Sequence, residues 1–157
     1  ADEPTAALDV VTQAQVLDQL REHQTERGMG LVLITRDLGV VAEHADEVAV
    51  MYAGRVVERG ATAALLGAPG HPYTRALLAS MPPVDAPRDD GHPRRLTPIA
   101  GIAPDLSALG PGCRFADRCA LRAGRTPPPA ACRAEEPELR AVPSGGVVRC
   151  HFPAEVT

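Results

Sequence analysis

Asp2-Glu3-Pro4-Thr5-Ala6-Ala7-Leu8-Asp9 opens the chain with two adjacent carboxylates and a proline. Such a pattern reads as the tip of a strand entering a loop, because proline pushes the residue before it out of the helical region. Asp9 suits a helix N-cap, where its carboxylate can accept first-turn N–H groups. Val10, Ala14 and Leu17 then share one helical face, with Val16 and Leu20 beside it, and Gly28 stops the helix. The spacing predicts a helix over residues 10–26. Met29-Gly30-Leu31-Val32-Leu33-Ile34 is a continuous apolar run ending in Thr35, which predicts a strand buried on both faces, as in a parallel sheet under helices. Residues 37–45 read as a short helix and 47–52 as a strand. Ala53-Gly54 turns the chain, and residues 55–58 run back as a hairpin. Strand tip, helix, strand, helix, strand and hairpin together spell the second half of an α/β domain.

Past the hairpin, residues 61–66 predict a small helix, and His71-Pro72 opens another that ends near Ser80. From Met81 to Arg95 the text turns to Pro, Asp and Arg, as a linker or exposed arm would. After Pro98 it is loop-rich, with strand-like residues only near Val147-Val148, and it holds all four cysteines. Ser144-Gly145-Gly146 reads as a turn.

Composition removes several function classes. The chain has 157 residues and a formal charge of -4, and all 16 of its basic residues are Arg. Residues 1–60 hold eleven acidic and five basic side chains, and residues 61–157 hold nine and eleven. A net negative chain with 3% aromatics offers nucleic acid neither a positive field nor stacking platforms, so no nucleic-acid partner is expected. Without Lys there can be no G-x-x-x-x-G-K-[ST] phosphate loop and no Schiff base. No run of 18 apolar residues and no secretory signal is visible. A first residue that is Ala rather than Met points to a processed start or to a piece of a longer chain.

An Asp at a strand tip can hold Mg²⁺ directly or through water, and a Glu beside it can polarise an attacking water. Two lone carboxylates are more often simply solvated, but here they sit in a longer string. Asp2 to Asp9 resembles the segment that follows the Walker B strand in ATP-binding cassette proteins. Val10-Val11-Thr12-Gln13-Ala14-Gln15-Val16-Leu17-Asp18 and Asp37-Leu38-Gly39-Val40-Val41-Ala42-Glu43 narrow the resemblance. So do Val48-Ala49-Val50-Met51-Tyr52-Ala53-Gly54-Arg55 and His71-Pro72-Tyr73-Thr74-Arg75-Ala76-Leu77-Leu78. Together they look like the ATPase subunit of bacterial oligopeptide and dipeptide importers.

The resemblance implies an α/β fold, the C-terminal part of a P-loop NTPase (ABC ATPase) domain followed by a loop-rich Cys-containing extension. It assigns residues 1–80 to the nucleotide domain, 81–98 to a Pro-rich linker and 99–157 to the extension. Asp2 then matches the carboxylate that organises Mg²⁺ on ATP, and Glu3 the catalytic glutamate that orients water. Asp9 closes the D-loop, which faces the opposite subunit of an ATP-sandwich dimer. Arg36 stands at the switch position, where the family has His. Arg is a permanent cation that only donates, so it can clamp a γ-phosphate but cannot relay a proton. The implied partners are a second ATPase subunit, transmembrane permease subunits and, indirectly, a substrate-binding protein. The implied location is the cytoplasmic side of the inner membrane, and the implied function is Mg-ATP hydrolysis that energises peptide import. The Walker A, glutamine and signature loops are absent from this chain, which is therefore expected to be inactive alone. A metal- or cluster-stabilised interaction module and a truncated remnant without activity are the other readings.

Cys113, Cys119, Cys132 and Cys150 are separated by 5, 12 and 17 residues. This lacks the C-x2-C knuckle of an ordinary zinc finger, yet four thiolates can hold Zn²⁺ or a [4Fe–4S] cluster. Phe115, Arg118 and Cys150-His151 look like the Cys-rich tail of the same importer subunits, some of which are associated with a [4Fe–4S] cluster. A cluster is expected ahead of Zn²⁺, and disulfides are disfavoured in a chain that reads as cytosolic. Thr126-Pro127-Pro128-Pro129 looks like an inserted loop. His151 is expected to be a bystander, and His23, His44 and His92 surface residues.

Overall fold

A computed structural model describes residues 1–81 and 96–153. The linker expected near residues 81–95 and His92 therefore lie outside the described residues, apart from Met81. The chain forms two compact units, Ala1–Asp46 and Glu47–Thr157.

In the first unit, helix α1 spans Val10–Arg27. Its start is set by Asp9, whose Oδ1 accepts the N–H groups of Val11 and Thr12, both at 3.0 Å, while Oδ2 accepts the Thr12 hydroxyl at 2.7 Å. Gly28 ends it in the left-handed region at φ 60°, where a side chain would be strained. Helix α2, Leu38–His44, begins the same way, with Asp37 accepting from Gly39 and Val40.

The expected strand at residues 29–34 forms only in outline. Ile34 makes a parallel bridge to Asp2, with Glu3 N–H donating to Ile34 O at 2.8 Å and Ile34 N–H to Ala1 O at 2.9 Å. It is not buried on both faces: Val32 is 77% exposed and Ile34 56%. A parallel strand is covered only when other strands and helices flank it, and among the described residues this segment is paired by bridging only to Asp2.

The second unit is built on a four-stranded antiparallel sheet. Strand β1 (Glu47–Tyr52) pairs with β2 (Arg55–Ala61). Ala53 and Gly54 make the turn at φ 47° and 77°, the positive-φ pair that a tight hairpin needs. Val48, Val50 and Tyr52 alternate inward along β1. Helices α3 (Thr62–Gly67) and α4 (Pro72–Ala79) follow. The extension adds two short helices, α5 (Ala120–Ala123) and α6 (Ala131–Ala134), and two strands, β3 (Leu139–Ala141) and β4 (Val147–Arg149). The strand order is β1-β2-β4-β3, with Val148 opposite Glu58 on one side and Arg140 on the other. The extension thus completes the sheet begun by the hairpin, and packing crosses the sequence boundary drawn at residue 80.

Val148 is fully buried between these strands. Both tyrosines and one phenylalanine gather into a cluster. Tyr52 lies 4.6 Å from Tyr73 and 5.1 Å from Phe115 between ring centroids, and Tyr73 lies 5.4 Å from Phe115. The buried Glu58 carboxylate accepts the N–H groups of Gly70 (2.6 Å) and His71 (3.1 Å), fixing the entry to α4. His71 Nδ1 accepts Tyr73 N–H at 3.0 Å and caps that helix. Gly70 must be glycine, because a Cβ there would lie 2.7 Å from Val148 Cγ2. Arg118 donates to Ala100 O and Ile99 O within the extension and, at 3.2 Å, to the Tyr52 hydroxyl on β1, which links the extension to the sheet.

Candidate functional site

Two groups of side chains carry chemistry, one in each compact unit. In the first, the parallel bridge to Ile34 places Asp2 and Glu3 at the mouth of a loop. Glu3 adopts φ 40°, in the left-handed region. Its carboxylate meets the Arg36 guanidinium through two contacts, Nε to Oε1 at 2.7 Å and an Nη to Oε2 at 3.0 Å. Of the four residues singled out in this unit, Glu3 and Arg36 are therefore brought together. Asp9 is committed to capping α1, and the Thr12 hydroxyl, followed by the Thr12 N–H, holds its carboxyl below the usual carboxylate range. Both Glu3 oxygens are thus engaged by one guanidinium. The pair adds little to stability, since the Arg36 side chain is exposed.

In the second unit, Cys113, Cys119, Cys132 and Cys150 line one small apolar cavity, walled also by Phe115 and Arg122. The convergence has local causes. Cys113 N–H donates to Cys132 O at 2.9 Å, tying two distant segments together. Gly112 permits this, because a Cβ there would lie 2.6 Å from Cys132 O. Cys119 caps α5, its sulfur accepting Arg122 N–H at 3.4 Å, and the Cys150 sulfur accepts Phe152 N–H at the same distance. Burial pushes the Cys113 thiol up to about 11, and the other three cysteines add to the rise. Burial likewise raises Cys132 and Cys150, while Arg122 and Arg125 pull Cys132 back towards the thiolate.

All four are free thiols. Among the described residues, no three His, Cys, Asp or Glu side chains stand close enough together to hold a metal ion as they are placed. The four cysteines nevertheless share one cavity wall, and Arg122 Nε is buried there without a hydrogen-bond partner among the described residues. His151 also lines this cavity, and its Nε2 lies 3.2 Å from Glu135 O. His23 is exposed as expected, whereas the His44 side chain is largely covered. Sequence reading missed Gly112 and Arg122. The signal for Arg122 was its position three residues after Cys119, one helical turn away.

The described residues contain no helix long and apolar enough to cross a membrane. Residues 57–125 match the family described as the oligopeptide/dipeptide transporter, C-terminal region. The chain is 43% identical over 155 residues to the dipeptide transport ATP-binding protein DppD of Escherichia coli, covering 99% of this chain and 44% of that protein. It is 50% identical over 122 residues to DppD of Bacillus subtilis, covering 78% and 35%. Against the oligopeptide transport ATP-binding protein OppD of Mycobacterium bovis it is 49% identical over 138 residues, covering 88% and 21%. The chain thus spans less than half the length of these relatives.

Proposed function

We propose, from the premise that this chain is homologous to the C-terminal region of the ATP-binding subunits of bacterial oligopeptide and dipeptide ABC transporters, that its parent protein hydrolyses Mg-ATP to energise peptide import. The observation that carries this reading is the 43% identity to a dipeptide transport ATP-binding protein, sustained over 99% of the chain. Residues 1–80 supply the end of the nucleotide domain and residues 99–157 its extension. Asp2 organises the Mg²⁺ on ATP, Glu3 orients the attacking water, Asp9 belongs to the loop facing a second ATP-binding subunit, and Arg36 reaches for the γ-phosphate. Permease subunits and, through them, a substrate-binding protein complete the assembly at the cytoplasmic face of the inner membrane. This chain alone does not hydrolyse ATP, because it has no Lys for a phosphate-binding loop.

Cys113, Cys119, Cys132 and Cys150 hold one shared centre, [4Fe–4S] ahead of Zn²⁺. Such a centre cross-links chain segments, which suits an extension whose helices and strands are only three or four residues long. Backbone N–H groups of Arg122 and Phe152 already donate to the sulfurs of Cys119 and Cys150. A second reading, a centre-stabilised interaction module, draws on the fact that the extension and the hairpin share one compact unit.

A chimaera tests the transport reading. This chain replaces the matching region of Escherichia coli DppD, with Arg36 retained or changed to His, in cells lacking the native protein. Dipeptide uptake is expected, and more of it with His. Two well-expressed chimaeras that both leave uptake at background refute the proposal.

A further inference from the structure

Arg122 makes an unusual pairing of contacts. Its backbone N–H is spent on the Cys119 sulfur at 3.4 Å. Its side-chain Nε is buried at the wall of the four-cysteine cavity and donates to nothing among the described residues. A guanidinium N–H cannot lose its proton at any ordinary pH, so it must donate or remain unsatisfied. The four sulfurs are the polarisable acceptors on the same cavity wall.

Charge leads to the same place. Four thiols that bind a dication, whether Zn²⁺ or a [4Fe–4S]²⁺ core, release four protons to water as four metal–sulfur bonds form. The product carries two net negative charges inside an apolar cavity, which is costly without a cation and donors nearby. Neighbouring Arg125 is held over the Phe152 ring at 4.3 Å.

We propose that Arg122 is the charge partner of a four-thiolate centre at Cys113, Cys119, Cys132 and Cys150, donating its Nε–H to a sulfur of that centre and retaining the metal. This rests on the reading that the four cysteines bind one centre. Arg122 is a positioning residue and not a ligand, since guanidinium has no free lone pair for a metal.

The full chain is purified anaerobically as wild type, Arg122→Met and Arg122→Lys, and each is loaded with equal amounts of ferrous and ferric iron together with sulfide, the oxidation states a [4Fe–4S]²⁺ core requires. Iron, sulfide and zinc are counted per chain, and the rate of metal release to a chelator is measured. Wild type is expected to hold one centre, and Arg122→Met to release it at least tenfold faster. Arg122→Lys, which keeps the charge but loses the Nε–H beside the planar fork, should release it at least threefold faster. If the centre is an iron cluster, removing the cation in Arg122→Met also lowers its reduction potential. A tenfold change in the one-electron equilibrium corresponds to about 59 mV. Release from Arg122→Met within twofold of wild type, with the centre present in both, overturns the role of Arg122 and leaves the cysteine reading standing. Should Arg122→Met fail to fold, wild-type release from Arg122→Lys overturns the Nε–H claim. Wild type that takes up no metal overturns both readings together.

Discussion

Phe115→Ala should be the most damaging single change in the extension. The side chain is 2% exposed, meets the Tyr52 ring edge-on at 5.1 Å and 83°, and packs on Tyr73 at 5.4 Å. It also walls the four-cysteine cavity, so the void left by truncation would open onto the thiols. Deleting a buried Phe costs about 3–5 kcal/mol, combining lost transfer energy with the residual cavity. With a urea slope of about 2 kcal/mol per M, the midpoint should fall by about 2 M. Equilibrium unfolding of the metal-free chain, followed by circular dichroism, measures the shift. In parallel, thiol labelling of the native chain should accelerate. Phe152→Ala is the control: that ring is only half-buried and should cost less than half as much. A loss below about 1 kcal/mol for Phe115→Ala, or equal losses at the two positions, would refute the claim that the aromatic cluster organises the extension.

Titration calorimetry should find that this chain binds Mg-ATP more weakly than about 1 mM, because it has no Lys to meet the β-phosphate; a micromolar constant would contradict that. In a full-length subunit, Arg36→His should release Glu3 from its two-contact ion pair and raise ATP turnover at least about tenfold, or 1.4 kcal/mol at the transition state. Equal steady-state phosphate release from the two proteins would mean that the pairing does not impede the base. His71 is buried and its pKa is lowered by that burial to about 4 from 6.5. The unfolded chain therefore binds a proton that the folded chain refuses between those values. Stability should be constant above pH 6.5 and fall by about 3 kcal/mol on acidification towards pH 4. His71→Asn, which can keep the helix cap, should flatten that slope in urea titrations at stepped pH, and an unchanged slope would assign the loss to other groups.

Much of the local structure was legible because its causes lie within a few residues. Asp9 and Asp37 cap the helices that follow them, Gly28 closes α1, and Ala53-Gly54 turns the hairpin, each through contacts no further than one helical turn. The strings at residues 2–9 and 71–78 carried the family for the same reason, since a motif is read without knowing what it packs against. The apolar run at residues 29–34 reports a preference for burial, but burial itself depends on neighbouring strands and helices, and here Val32 stays exposed. Spacing along the chain also says nothing of distance across it. Nothing in the gaps of 5, 12 and 17 residues places four cysteines on one cavity; that follows from Gly112 admitting Cys132 O and from β4 joining β2. The pairing of Glu3 with Arg36 across 33 residues and the orphaned Arg122 Nε are of the same kind. Local hydrogen bonds select the elements from sequence, whereas which side chains meet is decided only when distant segments pack and exclude water between them.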